Sequence, residues 1–212
     1  MDTKQIQQRV LALVPAQVLS DVFATRAALA EAPVSAAGLI AINHLVNAVG
    51  GILFFKVPHD IPKFKLLAFL ATYTACAMVS IREAAAATSS STLRRRAGLA
   101  LAVASTSLYW WTVKATRRQP LTAIHSQDSP QHVNTTGPYG LARHPFYSAY
   151  VTNFLAGAVT AGNPASVLAF IGAFLAYYRG AKEEEAKFAQ SDLARKYTNY
   201  KRRTAMLIPF LF

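Results

Sequence analysis

The chain has 212 residues, 53% of them hydrophobic, and carries 22 lysines and arginines against 10 acidic residues, a formal charge of +12. That length suits one domain. The basic residues stand at the ends of apolar runs rather than along a polar face. This excludes a soluble nucleic-acid binder and gives the pattern of membrane spans flanked by charges near anionic headgroups. The single cysteine, Cys76, excludes an intrachain disulfide and a cysteine metal cluster.

Residues 1–31 place Ile6, Val10, Leu13, Val14, Val18 and Leu19 at roughly helical spacing. They predict an amphipathic segment lying on the membrane or packed on the bundle. Pro15, Gln17 and Asp21 interrupt its apolar part, unlike a secretory signal peptide. Residues 32–212 read as one membrane domain. Its first span is 34–55, free of Asp, Glu, Lys and Arg and close to the roughly 20 residues a crossing needs. Asn43 and Asn47 share a face of it, and His44 is either an interhelical hydrogen-bonding group or a functional one. Two prolines and their charged neighbours make Lys56 to Lys63 a loop.

The second span is predicted over 66–81 and the third over 98–113, the latter ending in the interfacial aromatics Tyr109, Trp110 and Trp111. Residues 82–96 between them read as a polar connection, with a serine-rich loop and an anchoring Arg94-Arg95-Arg96 run. A long polar loop covers 119–144, and loops of that length are usually functional. Its Asn134-Thr135-Thr136 spells a glycosylation sequon, relevant only in a lumen. Spans over 146–161 and 165–179 then form a hairpin about the uncharged turn Ala161-Gly162-Asn163-Pro164. Both open ends of this hairpin are basic, so the positive-inside tendency puts them in the cytosol. Counting back places Arg94–Arg96 on the far side, against that tendency. The tail, 179–212, begins with a dense charge cluster. It continues as an amphipathic helix lying against the membrane, bearing Phe188, Leu193, Tyr197 and Tyr200, and ends in an apolar stretch that tucks back.

The chemistry concentrates in Gly137-Pro138-Tyr139-Gly140-Leu141-Ala142-Arg143-His144-Pro145-Phe146-Tyr147. Gly137 and Pro138 break regular structure, and Pro145 fits the first turn of a helix. Arg143 and His144 therefore precede a helix N-terminus, where free N–H groups and the helix dipole favour anions. The segment suits either a small anionic or mixed-charge ligand or a basic juxtamembrane anchor. The same dipole leads us to expect a neutral His144. The run Glu183-Glu184-Glu185 at a membrane edge needs a cationic partner, either nearby Arg179, Lys182 and Lys187 or a bound cofactor. No spacing of His, Cys and Asp suggests a metal.

These segments, followed by Tyr197-Thr198-Asn199-Tyr200 and Leu207-Ile208-Pro209, resemble in order and spacing the isoprenylcysteine carboxyl methyltransferase family, within the wider membrane phospholipid methyltransferases. The resemblance covers 137–212. It implies an all-α integral membrane protein of about five spans, with a cytosol-facing pocket for S-adenosylmethionine built from 119–147 and 179–209. It implies that Tyr139, His144, Pro145 and Tyr147 line the cofactor site and that Glu184 and Glu185 bind it from the tail, with Glu183-Glu184 as the alternative register. It implies that Arg143 is catalytic, closest to the reacting group. The expected acceptor is the carboxylate of a prenylated cysteine in an endoplasmic-reticulum membrane, if the source is eukaryotic. A carboxylate needs no general base, and Arg143 suits a two-pronged grip on it. Alternatives are a small lipophilic metabolite, a phospholipid amine, or a non-catalytic membrane scaffold or transporter.

Overall fold

The expected apolar runs become helices, and side-chain caps start three of them. In the computed structural model, residues 35–55, 63–118, 121 and 130–209 are described; the expected N-terminal amphipathic segment and most of the 56–63 loop lie outside them. Helix α1 (Ala36–Leu53) opens with the Ser35 hydroxyl accepting from the Gly38 N–H at 3.1 Å. Helix α2 is Lys63–Ala86, and α3 (Thr92–Thr116) is capped by Ser91. A single 3-10 turn, Gly137–Gly140, begins at Gly137 with φ +63°, a conformation that suits glycine. Helix α4 (Pro145–Ala161) carries Pro145 in its first turn and stops at Gly162, again at φ +63°. Asn163 caps α5 (Pro164–Ala189), and a short α6 (Ala194–Lys201) follows. The described residues contain no strand beyond one isolated parallel bridge, Ala142 to Ala205.

Helix α4 is the central post. It packs against α1, α2, α3 and α5 and is buried along most of its length. Two amides lock it deep in the bundle. Asn43 Nδ2 donates to the Ala102 carbonyl and to Asn153 Oδ1, each at 3.0 Å. Thr106 Oγ1 donates to Asn43 Oδ1 at 2.7 Å, and Asn153 Nδ2 reaches the Ile40 carbonyl at 3.2 Å. These bonds tie α1, α3 and α4 without a charge. His44 sits beside them, its ring against Phe154 and Tyr73.

The outer surface is apolar: Leu53, Phe64, Leu67, Leu93 and Leu168 are all exposed. Among the described helices, α2 alone is both long and apolar enough to cross a membrane by length and composition. Of the others expected to span, α4 has 17 residues, about 25 Å at 1.5 Å per residue. Helix α3 is studded with Ser and Thr that return hydrogen bonds to their own helix.

Two boundaries differ from expectation. The polar connection predicted over 82–96 shrinks to residues 87–91, because α2 runs on to Ala86 and α3 starts at Thr92. Arg94–Arg96 are thus in the first turns of a helix; Ser91 supplies a start signal that the arginine run masked. Helix α5 likewise continues through the charged residues to Ala189. Arg94 lies against Gly162, Ser90 Oγ bonds the Thr160 carbonyl, and Asn163 Nδ2 bonds Glu83. The arginine run and the uncharged hairpin turn therefore share one end of the bundle, opposite the end that carries His144.

Candidate active site

At that other end, the N-terminus of α4 and the C-terminal third of α5 come together under the tail. The tail is strapped to the loop before α4. The N–H groups of Arg143 and His144 donate to the carbonyls of Ala205 and Met206 at 2.8 and 3.1 Å. Ser148 Oγ donates to the Leu207 carbonyl at 2.6 Å, and Tyr200 Oη to the Tyr139 carbonyl at 2.6 Å. The apolar end tucks back as expected as far as Leu207, while Ile208 is exposed and residues 210–212 lie outside the described residues. The apolar face of α6 is directed differently: Tyr197 and Tyr200 pack with Val133 and Tyr139, and Tyr197 stacks on Phe188 at 4.2 Å.

Within this frame the charged side chains form one cluster. Arg143 Nε donates to Glu185 Oε1 at 2.8 Å, while its Nη1 donates to the carbonyls of Lys201, at 3.3 Å, and of Thr204. Lys201 Nζ lies 3.0 Å from Glu185 Oε2. His144 points Nδ1 at Glu184 Oε2, 3.3 Å away, and Nε2 at Glu185 Oε1, 3.5 Å away. Tyr147 donates its hydroxyl to Glu184 Oε1, and its ring lies parallel to that of His144. Spacing along α5 separates the three acids: Glu185 turns inward, Glu184 meets Tyr147 and His144, and Glu183 meets Lys65 at 3.3 Å. It is thus Glu184 and Glu185 that face the Arg-His-Pro segment.

Electrostatics reverse one expectation. Burial by itself would lower the pKa of His144, but hydrogen bonds and charge from Glu184 and Glu185 outweigh it and hold the imidazole above its ordinary 6.5. The helix dipole considered from sequence is weaker than two carboxylates at contact distance. Burial would also raise the Glu185 carboxyl, yet His144, Arg143 and Lys201 together keep it well below the usual carboxylate range. Burial, with the neighbouring Tyr200 and Glu184, pushes the Tyr139 phenol upward, so it stays protonated. Its hydroxyl is buried with no hydrogen-bond partner among the described residues.

The structure thus brings together Tyr139, Arg143, His144, Pro145, Tyr147, Glu184 and Glu185. The reading from sequence gave no role to Lys201 and Thr204, and took Tyr197 and Tyr200 as apolar residues of an amphipathic helix and as part of a motif. Tyr197 and Tyr200, three apart in a charged helix, share a face and were a legible signal. Lys201 and Thr204 were not, since both reach Arg143 through backbone carbonyls 58 and 61 residues away.

This donor set fits a ligand with cationic and hydroxyl groups. Two carboxylates attract positive charge, Glu184 remains partly open, and the orphaned Tyr139 hydroxyl needs a polar partner. Among the described residues no group of His, Cys, Asp and Glu is arranged to hold a metal ion. Residues 93–196 match the family model described as Phospholipid methyltransferase, a stretch that runs from the start of α3 into α6. No curated protein and no solved structure matches the chain.

Proposed function

We propose, from the match of residues 93–196 to the phospholipid methyltransferase family model, an S-adenosylmethionine-dependent methyltransferase acting on a lipid-borne acceptor at a membrane surface. The observation that carries this reading is the meeting of Tyr139, His144, Tyr147, Glu184 and Glu185 at one end of an apolar bundle. Glu184 and Glu185 would hold the cofactor by its positive charge, Tyr139 would offer its free hydroxyl, and His144, Pro145 and Tyr147 would form the wall. Bound there, the cofactor supplies an electrophilic methyl group on a sulfonium.

The chain's residues then have to align an acceptor and exclude water; alignment of two reactants is worth roughly 7–11 kcal/mol. Arg143 is a positioning residue in this account. It fixes Glu185 and pins the tail through Lys201 and Thr204, so Arg143→Ala weakens cofactor binding as well as turnover. The first acceptor is the carboxylate of a prenylated cysteine, which is already ionised and needs no base. A second reading, a phospholipid amine, is favoured by Arg143 itself. With Nε and Nη1 committed, its guanidinium keeps no two-pronged face for an acceptor carboxylate.

The membrane setting rests on the apolar outer surface and on α2. In this reading α1 to α5 span the bilayer. The catalytic loop and tail are then cytosolic, and a eukaryotic source would place the protein in the endoplasmic reticulum. The test is transfer of labelled methyl from S-adenosylmethionine by the protein in membranes, offered N-acetyl-S-farnesylcysteine and phosphatidylethanolamine. A base-labile product identifies the carboxyl ester, and a base-stable methylated amine the phospholipid. Cofactor binding with neither product points to a small lipophilic metabolite. No cofactor binding by the folded protein overturns the enzyme reading in favour of a scaffold or transporter.

A further inference from the structure

The arginine run at the far end of the bundle has no part in methyl transfer. Arg82, Arg94, Arg95 and Arg96 meet one acid there among the described residues, Glu83. It already accepts from Asn163 Nδ2 at 2.7 Å and lies 3.6 Å from Arg82 Nε. Arg94 lies against Gly162, whereas Arg95 and Arg96 are exposed and make no ion pair among the described residues. We propose that this end binds an anionic phospholipid of the leaflet opposite the end that carries His144, with Arg95 and Arg96 taking its phosphate and α3 its acyl chain. The inference rests on the membrane reading above and is independent of the methyl acceptor.

Spacing along α3 sets the depth of this end. From Arg94 to Lys114 the helix rises about 30 Å at 1.5 Å per residue, the thickness of a bilayer's hydrocarbon core. The arginines and Lys114 therefore stand at opposite headgroup levels. Ala100, Val103 and Ala104 follow Arg96 on the same face of the helix, and all three are exposed. A cationic top above an apolar track matches a molecule that is anionic at its head and hydrocarbon below. An acidic protein would meet the arginines and leave the track uncovered. Guanidinium groups suit phosphate in particular, since their forked donors bind it through two parallel hydrogen bonds. A bound phosphate also accounts for a basic run on the side that the positive-inside tendency disfavours, because the charge is then matched locally.

The test places the full-length protein in phosphatidylcholine nanodiscs with a trace of phosphatidylglycerol whose acyl chain carries a photoreactive group near its ester. Crosslinked residues are mapped by mass spectrometry. The wild type should crosslink within residues 96–104, and unlabelled phosphatidylglycerol should compete. Two surface cations at about 5-fold each predict that the double variant Arg95→Gln with Arg96→Gln crosslinks about 30-fold less. Its melting temperature should match that of the wild type, because both side chains are exposed. Arg117→Gln with Arg118→Gln, at the opposite end of α3, should keep the wild-type yield. Labelled phosphatidylcholine that marks the same residues equally well overturns the proposal, as does a yield that survives in the Arg95 and Arg96 double variant. A folded wild type that does not enter nanodiscs defeats the membrane reading itself.

Discussion

The middle of the bundle and its charged end both bury polar groups, by opposite means. In the middle, Asn43, Thr106 and Asn153 are neutral and bond to one another and to helix carbonyls, so the network joins α1, α3 and α4. At the end, Arg143, His144, Glu184, Glu185 and Lys201 bear charges balanced against each other, with Glu184 and Lys201 reaching solvent. A neutral network can be satisfied once and stay so. A charged one with an outlet can trade partners, and binding a charged ligand needs that freedom.

Removing a partner should separate the two regions most sharply at Glu185. Glu185→Ala leaves Arg143 buried beside a cation, and loss of one partner of a buried pair costs about 3–5 kcal/mol. A thermal melt in detergent should show the drop together with loss of cofactor binding. Asn43→Leu strips the amide network and leaves Asn153 Oδ1 without its donor, while Thr106 keeps its bond to the Ala102 carbonyl, for a loss of about 1–3 kcal/mol. Calorimetry should find the cofactor affinity of that variant unchanged once it is folded; a parallel loss would erase the distinction between the regions.

How much of this was readable in the sequence differs between the two regions. The stretch Arg143 to Tyr147 was legible because its turn former, helix-starting proline and charged pair are contiguous. Asn43 and Asn153 were harder: the first stood out against an apolar run, but its partner is 110 residues away. The direction of the His144 pKa shift was misjudged because local sequence shows the helix dipole and hides the carboxylates of Glu184 and Glu185. Lys201 was hidden among the tail's many cations, and only folding singles it out.

The raised pKa of His144 sharpens the contrast further, since the Asn43, Thr106 and Asn153 network has no group that titrates. A group whose folded pKa lies above its unfolded value stabilises fully below the unfolded value, here about 6.5, and loses that contribution as pH rises through the folded one. Melting temperature should therefore fall as pH is raised above about 6.5, and His144→Gln should flatten that decline. A slope unchanged in the variant would assign it to another group. The smallest effect is expected at Lys65. Its ion pair with Glu183 is about half exposed at each side chain, so Lys65→Ala should shift stability by less than about 1 kcal/mol in a melt at low salt.

The central claim is that the charged end is a cofactor site, and equilibrium binding of labelled S-adenosylmethionine in nanodiscs tests it most directly. The wild type should bind saturably, and Glu184→Gln should bind at least about 10-fold more weakly with little change in melting temperature. A folded wild type without saturable binding, or a Glu184→Gln variant that binds as well as the wild type, would contradict the account.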